Sequence, residues 1–263
     1  MASKNYAEIA KRKLKKPGAQ EPHRILVYGR NKKGKTTFSA SGPRTLVLDP
    51  ERGTKELSSD GTLVWPVSEW ADIDEAYQFL KTNEAQESFD WISVDGLTRI
   101  NNMALRYVMK QAEERDLERQ PGFVQMRDYG KSGELMKGML YNFHALPYGI
   151  VYTAQERQES SADFGVEDED VESADIRYVP DLPKGVRSAV NGIVDVIGRI
   201  YTVKVTGTNK AGAEVTGTQR RLWIAPTENQ DTGYRSKHRL PSYLKGPTVP
   251  RLLEMIEHGK VAK

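Results

Sequence analysis

Short apolar runs, separated by stretches whose apolar residues recur three and four apart, organise most of this chain. The runs are RILVYG at 24–29, TLVLD at 45–49, LVWPV at 63–67, WISVD at 91–95 and GIVYTA at 149–154. Each is too short for a helix and rich in β-branched or aromatic residues, so each predicts a buried strand. Between them, Ile100, Met103, Ala104, Tyr107 and Val108 share one helical face, and Met136, Met139, Leu140 and Phe143 share another. Strands alternating with helices predict an α/β fold with a mainly parallel central sheet and helices on both faces. Past Asp195 the texture changes. RIYTVKV at 199–205 and RRLWIA at 220–225 flank a turn containing Asn209 and Gly212, which predicts an antiparallel hairpin, about 199–226, that extends the sheet. A last helix over about 249–258 has Pro250 in its first turn and stops at Gly259.

Length and composition narrow this picture. At 263 residues the chain accommodates one large domain with a buried core. Residues 1–22 hold Lys11, Arg12, Lys13, Lys15 and Lys16 with Pro17, Gly18 and Pro22, and read as a basic, flexible arm before a domain over 23–263. The chain is 38% hydrophobic and 29% charged, with no apolar run of the roughly 18 residues a membrane span needs. No apolar stretch or cleavage site follows the basic N-terminus, so the expected compartment is the cytoplasm. Cysteine is absent, which excludes disulfides, zinc fingers and thiol catalysis. The net charge of +3 hides an asymmetry: residues 159–175 carry eight carboxylates and no cation, leaving +11 on the rest. A basic body suits a polyanion partner, and a solvated surface of mixed charge accounts for it equally well.

The most specific signal is Gly29-Arg30-Asn31-Lys32-Lys33-Gly34-Lys35-Thr36, which matches GxxxxGK[ST] and continues into Thr37. The bare pattern arises by chance in roughly 1% of chains this long, so context decides. Here the motif follows a predicted strand and precedes a short helix, Thr37 to Ser41, which is the arrangement a phosphate-binding loop requires. Its two glycines let successive backbone N–H groups point at the phosphates, Lys35 reaches the β- and γ-phosphates, and the Thr36 hydroxyl ligates Mg²⁺. The expected ligand is therefore Mg-ATP. A carboxylate must share the metal, and Asp95, ending the WISVD strand 60 residues after Lys35, is the candidate. Many P-loop ATPases carry a catalytic Glu at the next position, but here it is Gly96. The base must then come from elsewhere. LDPERG ends the second strand and puts Glu51 at the carboxyl edge of the sheet, where open α/β sheets bind ligands, with Asp49 as its rival. RecA-like ATPases draw this Glu from a strand other than that of the metal-binding Asp, which favours Glu51. Gln155, at the end of the GIVYTA strand, is a neutral amide suited to sensing the γ-phosphate.

Together GRNKKGKTT, LVLDPERG, WISVDGLT, YTAQER, GIVDVIGRIY and YRSKHRLPSYL resemble, in order and spacing, phage-encoded RecA-like ATPases of the AAA-domain type, including single-strand-annealing recombinases. The resemblance runs from about Arg24 to His258. It implies ATP hydrolysis, self-association into a ring or filament, and single-stranded DNA as partner, with a single-strand-binding protein as a further one. It also implies a basic motif, here Lys237 and Arg239, that reaches a neighbouring subunit's nucleotide. Two loops would contact DNA. In the first, Arg115, Arg119, Arg127 and Lys131 are interleaved with Phe123 and Tyr129, the mixture of cations and stacking faces used for single strands. The second, about 157–187, has an acidic centre that would repel phosphates, leaving Arg177, Lys184 and Arg187 on its flanks as contacts. Two other readings share the P-loop: a nucleotide or small-molecule kinase, and a nucleotide-gated assembly protein without significant turnover.

Overall fold

A computed structural model describes residues 8, 11, 14, 21–57, 61–160, 176–208 and 214–260. Most of the basic arm, the acidic stretch 161–175 and the hairpin tip 209–213 lie outside the described residues. In chain order the elements are β1 (Arg24–Gly29), α1 (Lys35–Ser39), β2 (Thr45–Asp49), a 3₁₀ turn (Thr54–Glu56), β3 (Leu63–Pro66), α2 (Trp70–Leu80), α3 (Asn83–Ser88), β4 (Trp91–Asp95), α4 (Leu97–Arg115), α5 (Met126–His144), β5 (Gly149–Ser160), β6 (Ile176–Pro180), α6 (Lys184–Ile193), β7 (Val196–Thr208), β8 (Glu214–Trp223), β9 (Gly233–Tyr234), β10 (Tyr243–Lys245) and α7 (Val249–His258).

The protein is mixed α/β. Strands lie in the order β10-β8-β7-β1-β5-β4-β2-β3. From β7 to β3 neighbouring pairs are parallel, while β8 and β10 add an antiparallel C-terminal extension. The continuous apolar runs of β1, β2 and β4 follow from burial on both faces. Because side chains alternate along a strand, β1 divides between two cores. Leu26 and Tyr28 pack with α2, α4, α5 and α6 through Ile73, Ile100, Met136 and Val186. Ile25 and Val27 pack with Phe38 of α1 and with Leu252 and Met255 of α7. Helices therefore cover both faces.

Several expectations need adjustment. The helix after the phosphate loop starts at Lys35 rather than Thr37. β5 runs past Gln155 to Ser160, because Glu156–Ser160 pair antiparallel with β6, and α6 begins at Lys184. The segment 157–187 is thus not one loop. Likewise 115–131 includes the first turns of α5, with Tyr129 and Lys131 exposed on that helix. β3 lies at the sheet edge and leaves Leu63 and Val64 exposed.

Candidate nucleotide site

Parallel register brings the candidate residues to one edge of the sheet. β5 lies between β1 and β4, with Gly29 opposite Gln155 and Asp95 opposite Thr153. Gly29 and Asp95 end their strands, and Gln155 is the last β5 residue paired with β1 before that strand continues alongside β6, so all lie at the carboxyl edge of the parallel sheet. Gly29 has a steric reason to be glycine, since a Cβ there would stand 2.4 Å from the Ile200 carbonyl oxygen of β7. Gly34, just before α1, has φ +91°, and Lys32 has φ +60°. These left-handed positions curl the loop into a concave row of N–H groups.

Inside the curl, the Lys35 ammonium donates to the Gly29 carbonyl at 2.8 Å, the Arg30 carbonyl at 3.1 Å and Gln155 Oε1 at 3.0 Å. Gln155 Nε2 in turn donates to Glu51 Oε1 at 3.3 Å. One amide thus connects the loop lysine to the candidate base. The Thr36 hydroxyl donates to Asp95 Oδ2 at 2.6 Å, and Thr153 donates to Asp95 Oδ1 at 2.8 Å. Thr36 and Asp95 therefore present two hard oxygen donors side by side, which suits magnesium. Among the described residues no three His, Cys, Asp or Glu gather into a metal-binding cluster, so an ion here would complete its shell with phosphate oxygens and water.

Burial dominates the electrostatics. It pushes the Asp95 carboxyl up, against the two hydroxyl bonds that pull it down, and the nearby Glu51 and Asp49 carboxylates push it further. Burial pulls the Lys35 ammonium down, opposed by the attraction of Glu51, Asp95 and Glu156. Both groups are strained towards neutrality.

Asp49 and Glu51 differ in what they bind. Asp49 spends both oxygens on its own loop, accepting from the N–H groups of Glu51, Gly53 and Thr54 and from the Thr54 hydroxyl. It holds the turn that presents Glu51. Three further residues, not singled out within their segments WISVDGLT and YTAQER, also belong here. Thr153 orients Asp95. Thr98 accepts from the Gln155 N–H at 3.1 Å and fixes the end of the central strand segment. Glu156, with its side chain 3% exposed, holds Arg199 at 2.7 Å and Arg30 of the loop at 3.4 Å. The sequence signal for Thr153 is its period-two spacing to Gln155, and for Thr98 and Glu156 it is only their place in the segments WISVDGLT and YTAQER, which gives neither a role.

The expected DNA contacts disperse. Arg119 is no surface cation: both its side chain and that of Asp128 are 0% exposed, and its guanidinium donates to both Asp128 oxygens and to the Phe123 carbonyl. Arg187, 11% exposed, is bound to Glu159 at 2.8 Å and lies 3.8 Å from Asp231. Two predicted contacts are therefore structural ion pairs, formed because a buried guanidinium requires a carboxylate. Arg127 lies 3.7 Å from Asp116 and stays half-exposed. Arg115, Arg127 and Lys131 line a groove of about 460 Å³ between α4 and α5, with Tyr107 on its wall. Phe123 and Tyr129 are exposed, and Lys184 starts α6. Lys237 and Arg239 are exposed beyond β9. β9 pairs with the beginning of β7, which itself lies beside the beginning of β1, so this segment emerges at the edge opposite the phosphate loop.

The chain matches the family described as AAA domain over residues 21–236, and it belongs to that family of P-loop nucleotide-binding proteins. A solved structure similar to it is the flagellar accessory protein FlaH from Methanocaldococcus jannaschii, at 13% identity and a TM-score of 0.36, with 91% of this chain and 90% of that chain covered. No curated protein matches significantly. Among the described residues no helix is long and apolar enough to cross a membrane.

Proposed function

We propose that this protein is a magnesium-dependent, RecA-like ATPase that converts ATP and water to ADP and phosphate and works on single-stranded DNA, in recombination or annealing of the phage type. One observation carries the ATPase reading: the continuous path Lys35–Gln155–Glu51 beside the Thr36–Asp95 pair. Residues 29–37 cradle the phosphates and Lys35 turns from carbonyl oxygens to phosphate oxygens. Glu51 orients the attacking water and accepts its proton as the water oxygen bonds to the γ-phosphorus and the bond from that phosphorus to the bridging oxygen breaks, releasing ADP. Thr36 and Asp95 would hold magnesium, which neutralises phosphate charge. Gln155, once its lysine partner has turned to the nucleotide, registers occupancy at the start of the β5–β6 pair.

The DNA reading is supported by the basic groove of Arg115, Arg127 and Lys131 with its aromatic wall, by exposed Phe123 and Tyr129, and by the sequence resemblance. Lys237 and Arg239 face away from their own phosphate loop, so a role on nucleotide requires another subunit, in a ring or filament. A single-strand-binding protein is a further partner in this reading. The test is phosphate release from the full chain with and without single-stranded DNA, beside an electrophoretic binding assay. Stimulation of release with binding supports the reading. Release unaffected by DNA and no binding overturn the DNA half, and no release in any condition overturns the ATPase half.

A further inference from the structure

The hairpin β7–β8 does more than widen the sheet. Beyond Arg199, its residues run past the end of β1 and over the phosphate loop, with Thr202 paired to Arg220 across the hairpin. Two contacts join hairpin and loop at that rung. Lys33 donates from Nζ to Thr202 Oγ1 at 3.0 Å. The Arg220 side chain lies directly against Gly34, so closely that a Cβ on Gly34 would stand 2.2 Å from Arg220 Cζ and 2.3 Å from Nε.

The placement is built rather than incidental. Neighbouring Arg221 points to the other side of the strand, where its guanidinium lies 4.6 Å above the Tyr243 ring. The Arg220 carbonyl accepts from the Gly246 N–H at 3.0 Å, and Arg251 donates to the Gly246 carbonyl at 2.9 Å, so α7 and β10 fix the backbone behind it. Among the described residues Arg220 forms no ion pair with a carboxylate. Its charge therefore adds to those of Lys33 and Lys35 on one short loop, without a counter-charge of its own. A polyanion is what such a grouping lacks.

We propose that Arg220 is a phosphate-binding residue supplied by the hairpin of the same subunit, contacting the α- or β-phosphate that ADP and ATP share and so tying the hairpin to the bound nucleotide. The choice of phosphate follows from the neighbour: Gly34 precedes Lys35 in the part of the loop whose N–H groups cradle the α- and β-phosphates, while Lys35 reaches towards the γ-phosphate. The inference rests on the nucleotide reading above.

The test titrates fluorescent methylanthraniloyl-ADP and methylanthraniloyl-ATP, with magnesium at low salt, into the full-length wild type, Arg220→Ala, Arg220→Lys and Lys35→Ala, and follows thermal unfolding with and without each nucleotide. Arg220→Ala should weaken both nucleotides about tenfold, as the loss of a charge-assisted bond implies. Arg220→Lys should fall between. The ligand-free melting temperature should not move, because no ion pair is broken, while the rise induced by nucleotide should shrink. Unchanged affinity for both nucleotides, weakening confined to ATP, or a lowered ligand-free melting temperature with wild-type affinity each overturns the assignment. Failure of the wild type to bind either nucleotide overturns the nucleotide reading and this inference with it, whereas wild-type binding with an unaffected Arg220→Ala overturns the inference alone.

Discussion

Arg119 and Asp128, at the α4–α5 turn, close on each other through a two-pronged ion pair, whereas Lys35 and Asp95, just as buried at the carboxyl edge of the sheet, take only neutral partners. Carbonyls and an amide hold the lysine, and two hydroxyls hold the aspartate. The charges respond in opposite directions. The bond to Asp128 strengthens the Arg119 cation, and Arg119 holds the Asp128 carboxyl below the usual range. Burial instead weakens the Lys35 cation and raises the Asp95 carboxyl. A closed pair satisfies itself and serves the fold. An open set keeps donors and acceptors in place but leaves charge to be completed by what binds.

The largest effects should come from the open set. Lys35→Ala should abolish Mg-ATP binding or cut turnover by roughly 10²–10³, the scale for removing one preorganised electrostatic group. Its ligand-free melting temperature should stay level or rise, since a desolvated cation that is hydrogen-bonded only to neutral oxygens is removed. Wild-type ATP affinity in this variant would sink the phosphate-loop assignment. Glu51→Gln should bind nucleotide normally and hydrolyse it about 10²–10⁴ times more slowly, the usual contribution of a general base. Unchanged turnover would return the role to another acid.

The closed pair should show the reverse profile. Arg119→Met strands a buried carboxylate, so the urea midpoint should fall several times further than for Arg127→Met on the exposed helix, while the double variant Arg119→Met/Asp128→Leu recovers much of the loss. The pH dependence has a definite sign. Because the folded protein holds the Asp128 carboxyl low, the pair's contribution is complete above the ordinary carboxylate range, about pH 4, and disappears as pH falls through the lower folded value. Wild type and the double variant should therefore differ less in acid than at neutral pH. Equal midpoints for Arg119→Met and Arg127→Met would show that the pair is not structural.

A cation from outside would complete the open set further. If Lys237 and Arg239 act on a neighbour's nucleotide, a Lys237→Ala/Arg239→Ala subunit mixed with a Lys35→Ala subunit should regain part of wild-type turnover, because one mixed interface holds both an intact loop and intact cations. Co-assembly without recovered hydrolysis would remove the role in trans. The smallest effect concerns the cations beside the closed pair. Arg127→Ala/Lys131→Ala should shallow the salt dependence of single-stranded DNA binding by about 0.7 in log–log slope for each phosphate left unneutralised. Arg119→Met/Asp128→Leu should leave that slope unaltered. An unaltered slope in the first variant would move the DNA contact elsewhere, to the basic arm first.

What is legible in the sequence is whatever depends on neighbours along the chain. The apolar runs of β1, β2, β4 and the start of β5 are visible because both faces of a parallel strand are buried. The phosphate loop is visible because a left-handed glycine, a lysine and a threonine must follow one another at fixed spacing. Asp95 and Glu51 can be nominated because each follows or ends such a run. Helices α2 and α6 carry apolar stripes comparable to or stronger than those of α4 and α5, whereas β9 and β10, two and three residues long, are too short to leave a local pattern.

Only the tertiary structure decided which charges meet. Arg119 and Arg127 look alike in the sequence, eight residues apart, yet one is sealed against Asp128 and the other lies on the surface. Asp49 and Glu51 look interchangeable until four hydrogen bonds commit Asp49 to its own turn. Arg220 stands 186 residues from Gly34, and no local pattern joins them; the register of the β7–β8 hairpin does. Backbone propensity and apolar periodicity act over a few residues and can be read along a line. The partner of a buried charge is chosen by the sheet order and by the cost of leaving that charge alone, and neither is a property of its sequence neighbours.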